Sequence, residues 1–293
     1  MPALFNRRSL LLGAALFPVS RALAQADPDK IAGGQKRLAA LEQKNDGRLG
    51  VAVLDTGSGA RLSHRAGERF AMCSTFKFLA AAAILRQADD GIVSLSHKVP
   101  YGESDLLSYA PETRKHIAEG NMMLGALCAA AVKLSDNTAA NLMLRQLGGP
   151  QGLTQYARTL GDQTTRLDRT EPTLNSAIPG DPRDTTTPET MLSDMNKLLL
   201  GTALSASSRD QLDTWMRQCR TGLKRLRAGL PPSWIVGDKT GTGDNNTANT
   251  IAIIRPPQRA PILAAVYYTG STAPPDGLDS VHAEIGRMIA QAF

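Results

Sequence analysis

Hydrophobic positions recur at helical spacing at both ends of the chain and through its middle, with strand-like runs between. Ile31, Leu38 and Leu41 fall on one face of a predicted helix from Asp27 to Asn45. Leu49 to Asp55 and Ala60 to Ser63 then flank Thr56-Gly57-Ser58-Gly59, which is turn chemistry between two strands. The middle reads as helix after helix: Ser74–Gln87, a turn around Thr113, Met122–Leu134, Ala139–Leu147, Gln151–Leu160, Pro188–Leu200 and Ser207–Gln218. Strand patterning returns at Trp234–Lys239, Thr247–Ile254 and Pro261–Tyr268, and an amphipathic helix from Leu278 to Ala292 closes the chain.

Strand-rich ends, each with a helix at its terminus, enclose an all-helical middle. This predicts an α+β fold: an antiparallel sheet shared by the two chain ends, covered by the terminal helices, beside an inserted helical lobe. The predicted division is an α/β lobe of residues 25–67 and 217–293 and a helical lobe of residues 68–216. A cleft between two such lobes is a natural ligand site. No repeat, low-complexity tract or heptad run interrupts this organisation.

The chain has 293 residues, 42% of them hydrophobic, enough for a large core or two lobes. Its formal charge is +6, and Arg7, Arg8 and Arg21 in the first 24 residues supply half of that. The rest carries the mild charge of an ordinary soluble surface. It has no basic run interleaved with aromatics, so nucleic acid is not an expected partner. Asn6-Arg7-Arg8 precedes an apolar run from Leu10 to Val19 and then Ala22-Leu23-Ala24, small at both positions a signal peptidase reads. Residues 1–24 are therefore predicted to be an export peptide of the twin-arginine kind, cut near Ala24 to leave a soluble periplasmic protein. The apolar run is too short for a membrane span and is broken by Pro18. Three cysteines, Cys73, Cys128 and Cys219, leave at least one thiol unpaired, and all three read as small buried hydrophobes.

Four stretches carry candidate chemistry. Ser74 and Lys77, three apart at the start of an apolar helical segment, share a face, so the amine can reach the hydroxyl. Backbone N–H groups near a helix N-terminus suit an oxyanion. Alone, the pair is also what a capping serine and a surface lysine give. Ser135-Asp136-Asn137 is, alone, an ordinary turn and cap. Residues 166–184 are poor in hydrophobics and hold Pro172, Pro179, Gly180 and Pro182, which predicts an Ω-type loop that Arg169 and Asp184 could close as an ion pair. Within it, Glu171 and Asn175 lie four apart and can face one way, holding a water with Glu171 as general base. Lys239-Thr240-Gly241-Thr242 follows a strand segment and offers a cation and two hydroxyls to a carboxylate. A phosphate loop is excluded there, because Asp238 precedes the lysine and the upstream glycines are missing. Cys73 is a rival nucleophile beside Ser74, but no histidine lies near it to activate it.

In this order and at these spacings the four stretches resemble class A serine β-lactamases over nearly all of the mature length. The resemblance implies that Ser74 is acylated by a β-lactam, with Lys77 or Glu171 through a water taking the proton. The N–H groups of Ser74 and Thr242 form the oxyanion hole. Ser135, with Lys239 beside it, protonates the departing nitrogen. Glu171 and Asn175 then direct water onto the ester. By the same resemblance Asn137 holds the substrate's side-chain carbonyl, Asp136 is structural and turned inward, and Lys239, Thr240 and Thr242 bind its carboxylate. Arg225 matches an arginine that assists there in some members, against the alternative of a surface charge near Lys224 and Arg227. Tyr109 matches an aromatic at the cleft rim. A cystine common in relatives is ruled out, since the partner position of Cys128 holds Ala81.

No metal or cofactor is expected: His64, His97, His116 and His282 are scattered without ligand spacing, and no Gly-x-Ser-x-Gly elbow or dinucleotide fingerprint occurs. The expected activity is hydrolysis of penicillins and early cephalosporins by a monomer. A D,D-peptidase would lack the deacylating pair, a β-lactam receptor would be tethered by membrane helices, and a catalytically dead binding protein would have lost a motif position.

Overall fold

A computed structural model describes residues 28–293, so the predicted export peptide lies outside the described residues. The first helix, α1 (Pro28–Asn45), leads into the hairpin β1 (Arg48–Asp55) and β2 (Arg61–His64), and β3 (Phe70–Ala71) follows, paired outside the main sheet with the later strand at 185–186. The helical part contains α2 (Phe76–Asp89), the short pair β4 (Lys98–Pro100) and β5 (Asn121–Met123), then α3 (Leu124–Lys133), α4 (Asn137–Gln146) and α5 (Pro150–Thr159). After β6 (Thr185–Thr186) come α6 (Pro188–Leu199), α7 (Ala206–Arg217) and the single turn α8 (Leu226–Gly229). The chain finishes with β7 (Ile235–Gly243), β8 (Thr247–Arg255), β9 (Ile262–Thr269) and α9 (Pro275–Ala292).

The main sheet has the order β2-β1-β9-β8-β7, antiparallel throughout. The α+β architecture expected from the strand-rich ends is therefore present. Side chains alternate across a strand, and here both faces are buried. Val51, Val53, Ala252, Ile254, Ala264 and Val266 pack with Leu38 of α1 and with Val281, Ile285 and Ile289 of α9. Ala52, Ile251, Ile253, Ala265 and Tyr267 face the other way, into the core shared with α2, α3, α4 and α6. This explains why the central strands read as continuous apolar runs rather than as alternating ones. Helix α2 is buried on every side from Phe76 to Leu85, as its apolar-rich stretch, interrupted only by Lys77, requires.

Three local expectations need correction. Met122 is not helical: it pairs with Val99 in the β4–β5 ribbon, and α3 begins only after extended Met123. Ser74 sits in a separate 3₁₀ turn, Cys73–Thr75, before α2 rather than in its first turn. The strand with the Lys-Thr-Gly sequence does not end at the lysine but continues to Gly243, paired with β8 residue by residue.

Candidate active site

The turn 73–75 presents Ser74 between the sheet and the helical part, and its Oγ donates to Glu171 Oε1 at 3.0 Å. The same carboxylate oxygen lies 2.9 Å from Lys77 Nζ, and both of these charged side chains are fully buried. Lys77 Nζ also donates to Ser135 O at 2.8 Å, to Ser135 Oγ at 3.3 Å and to Asn137 Oδ1 at 2.6 Å. Burial pulls the Lys77 ammonium below its usual pKa, and Glu171 beside it opposes that pull.

Ser135 has a left-handed backbone (φ 61°), and its hydroxyl accepts from Lys239 Nζ at 3.0 Å as well as from Lys77. One hydroxyl thus stands between two buried amines. Lys239 is fully buried, and desolvation brings its pKa down to about 7. Asp136 is turned inward as expected. It caps α4 through Ala139 N–H at 2.9 Å and accepts from the N–H groups of Glu112 and Thr113 and from the Thr113 hydroxyl.

The loop 166–184 is latched by Asp184, which is fully buried, pairs with Arg169 and accepts from the Asp168 and Arg169 N–H groups at 2.8 and 2.9 Å. Asp184 O accepts from Met72 N at 2.9 Å, so the loop's end is tied directly to the turn that carries Ser74. Glu171 and Asn175 face one way, but the amide meets the carboxylate directly: Asn175 Nδ2 donates to Glu171 Oε2.

A cleft of about 320 Å³ is lined by Ser74, Tyr109, Ser135, Asn137, Asn175, Thr221, Thr240 and Thr242. Tyr109 stands half-exposed at its rim. Arg225 is no surface charge. It is 8% exposed, pairs with Asp279 at 2.9 Å, and donates to Gly241 O, Asn249 O and the Thr242 hydroxyl. It meets the cleft through Thr242, from behind β7. Cys73, Cys128 and Cys219 are buried and unpaired, and burial pushes the Cys73 thiol far up, away from nucleophilic use. A larger hollow, about 770 Å³, opens between the loop 177–183 and the end of β9 and contains none of the motif residues except Arg169.

Two residues escaped the sequence reading. Asn141 grips the Glu171 backbone twice, accepting from its N–H and donating to its carbonyl, each at 2.9 Å. Its signal was its place one helical turn after Asn137 on α4. Thr221 lines the cleft and shares a hydrogen bond with the Thr240 hydroxyl; nothing in its sequence surroundings marks it.

Buried nucleophile, two amines, a carboxylate on the nucleophile's hydroxyl and a strand edge beside them define a serine acyl-transfer hydrolase. The sequence model of the family described as "Beta-lactamase enzyme family" matches residues 34–293, and the chain belongs to that family, within class A. It is 50% identical over 259 residues to β-lactamase CTX-M-8 of Citrobacter amalonaticus, covering 88% of this chain and 89% of that one. It is 46% identical to β-lactamase Toho-1 of Escherichia coli, with 98% of each covered. Among solved structures, an ancestral class A β-lactamase superposes with TM-score 0.88 at 55% identity, covering 89% of this chain and all of the other. PenP from Rhodopseudomonas palustris, described as a putative class A β-lactamase, matches with TM-score 0.87 at 52% identity.

Proposed function

We infer that this cleft hydrolyses the β-lactam amide of penicillins and cephalosporins through a serine acyl-enzyme and so gives resistance to those drugs. Ser74 Oγ attacks the lactam carbonyl, and its proton passes to Lys77 or, through a water, to Glu171. The developing oxyanion rests on the N–H groups of Ser74 and Thr242. When the C–N bond breaks, the nitrogen takes its proton from Ser135, which Lys77 and Lys239 flank. Lys239, Thr240, Thr242 and Arg225 serve the substrate carboxylate, Arg225 by orienting Thr242. Asn137 serves the substrate's side-chain carbonyl, and Tyr109 closes the rim. In the second half, water adds to the ester carbonyl while Glu171, with Asn175 beside it, takes the water's proton. Ser74 Oγ then leaves and regains its hydrogen. Every step is a proton transfer or an acyl transfer, so no metal or organic cofactor is required.

The observation that supports this reading best is the single carboxylate oxygen of Glu171 shared by Ser74 Oγ and Lys77 Nζ. A D,D-peptidase reading leaves that carboxylate and its Asn175 partner without a task. No helix among the described residues is long and apolar enough to cross a membrane. Residues 1–24, read as an export peptide, would place the hydrolysis in the periplasm, by a monomer of two lobes, residues 25–67 with 217–293 and residues 68–216. Purified protein should turn over a chromogenic cephalosporin, and a fluorescent penicillin should label Glu171→Ala stoichiometrically and persistently. No turnover by wild type would remove the assignment.

A further inference from the structure

The oxyanion hole invoked above takes one N–H from the turn 73–75 and one from β7, two elements far apart in sequence. Something must hold them in one frame. The turn is strained where it matters: Cys73, just before the nucleophile, has φ 45°, a left-handed conformation that a side chain resists. Such a conformation persists only where its surroundings over-determine it. Within the turn, Thr75 donates to Met72 O through its N–H at 3.2 Å and its hydroxyl at 2.8 Å. Those bonds are local and would travel with the turn if it tilted.

The link to the sheet comes from Asn249 on β8. It is fully buried, and its Nδ2 donates to Ala71 O at 2.9 Å and to Met72 O at 3.1 Å. In register it lies directly opposite Gly241, one residue from Thr242. Its amide reaches the turn because Gly241 has no side chain: a Cβ there would stand 3.2 Å from Asn249 Nδ2 and 2.7 Å from Met72 O. From the other side, Arg225 Nη1 donates to both Gly241 O and Asn249 O, each at 2.8 Å, which locks this cross-strand pair. On the far side of the turn, Met72 N–H is held by Asp184 O.

We propose that Asn249 is a positioning residue for β-lactam hydrolysis: its amide pins the carbonyls of residues 71 and 72 to the strand pair β7–β8, and so fixes the Ser74 N–H and hydroxyl against Thr242. The inference rests on the functional reading above. It assigns to Asn249 no contact with substrate.

The test uses two variants of the full chain. Asn249→Leu keeps the branching at Cγ, at a larger volume, and removes both donors. Asn249→Asp keeps the shape and retains one donor only when its carboxyl is protonated. A displacement of the nucleophile by about 1 Å can cost about 10²-fold in rate. The expected result is a kcat about 30- to 100-fold down in Asn249→Leu with KM within about 3-fold of wild type, and a matching loss of affinity for an arylboronic acid, which probes the oxyanion hole without turnover. In Asn249→Asp the loss, taken relative to wild type at the same pH, is smaller and shrinks as pH is lowered toward 5. If Asn249→Leu does not fold, the pH profile of Asn249→Asp alone decides. Wild-type kcat and boronic-acid affinity in either folded variant, or a loss that merely follows the unfolded fraction, would overturn the proposal. If wild type turns over no β-lactam, the functional reading has failed instead. The rate of labelling by a fluorescent penicillin then still reports whether Asn249 positions Ser74.

Discussion

Ser74 Oγ and Lys77 Nζ converge on one oxygen of Glu171, at 3.0 and 2.9 Å. The nucleophile and both candidate proton acceptors are therefore a single hydrogen-bonded unit, and Asn141 holds the Glu171 backbone in place from α4. In such a unit a carboxylate can be removed without removing the nucleophile. Glu171→Gln should still be acylated by benzylpenicillin, while deacylation falls by about 10³-fold, within the range of general-base catalysis. Mass spectrometry of the intact protein should find the adduct persisting for hours. Rapid clearance of that adduct would remove Glu171 as the deacylating base.

Lys239 supplies a pH dependence. Burial lowers its pKa to about 7, and the like charge of Lys77 adds to the effect. It is charged below that value and loses its charge as pH rises through it. If it grips the substrate carboxylate, kcat/KM of the free enzyme should fall on the alkaline side from about pH 7 upward. Lys239→Arg keeps its charge at every working pH, so its alkaline limb should move to higher pH. Superimposable profiles for the two proteins would show that Lys239 does not carry the dependence.

The elements that were legible in the sequence are those whose signal is local. Ile31, Leu38 and Leu41 marked α1, and the apolar-rich stretch Phe76 to Leu85 marked a buried α2. What was not legible depends on partners far away in the chain. Met122 looks helical until Val99 pairs with it. Arg225 was picked out only by its match to a family position, against the alternative of a surface charge near Lys224 and Arg227; its burial under β7 is a product of the fold. The motif residues themselves were recognisable because four spaced stretches constrain one another. Asn141 and Thr221 belong to no such set, and their roles exist only once α4 meets the loop and β7 meets residue 221.

The Arg169–Asp184 pair is the loop's latch, and the acid is the half that cannot be spared. It is fully buried and accepts from two backbone N–H groups in addition to the guanidinium. Removing one partner of a buried pair costs at most about 3–5 kcal/mol; Arg169 keeps a longer contact with Asp181, at 3.9 Å, so the cost falls mainly on the two backbone N–H groups that lose their acceptor. Asp184→Ala should therefore lower the melting temperature. It should also expose residues 166–184 to limited proteolysis and slow deacylation more than acylation, since Glu171 rides on that loop. A variant with native protease resistance and an unchanged deacylation rate would show that the latch is dispensable.

Asp194 predicts how stability depends on pH, independently of catalysis. It lies on α6, fully buried, and neither carboxylate oxygen finds a hydrogen-bond donor among the described residues. Burial first, and then the neighbouring Asp162, push its pKa up to about 8, against weaker opposition from Lys197 and Arg158. Two carboxylates in contact cannot both ionise cheaply, so the folded protein keeps a proton there that the unfolded chain gives up near its ordinary value of 3.8. Between those two values the folded state binds more protons than the unfolded one, so stability must fall as pH rises. The contribution is fully present below the unfolded pKa and is gone once pH has passed through about 8. Asp194→Asn has no proton to lose, and its amide can donate to Asp162, whose Oδ2 is otherwise unpaired. Thermal melts from pH 5 to pH 9 should show wild type losing several degrees between pH 5 and about 8 and levelling off above that, about 2–4 °C for each kcal/mol at this size. Asp194→Asn should hold a flatter profile and be the more stable protein at pH 8. Parallel slopes for the two would mean that Asp194 is already ionised in the folded protein and that its charge is compensated.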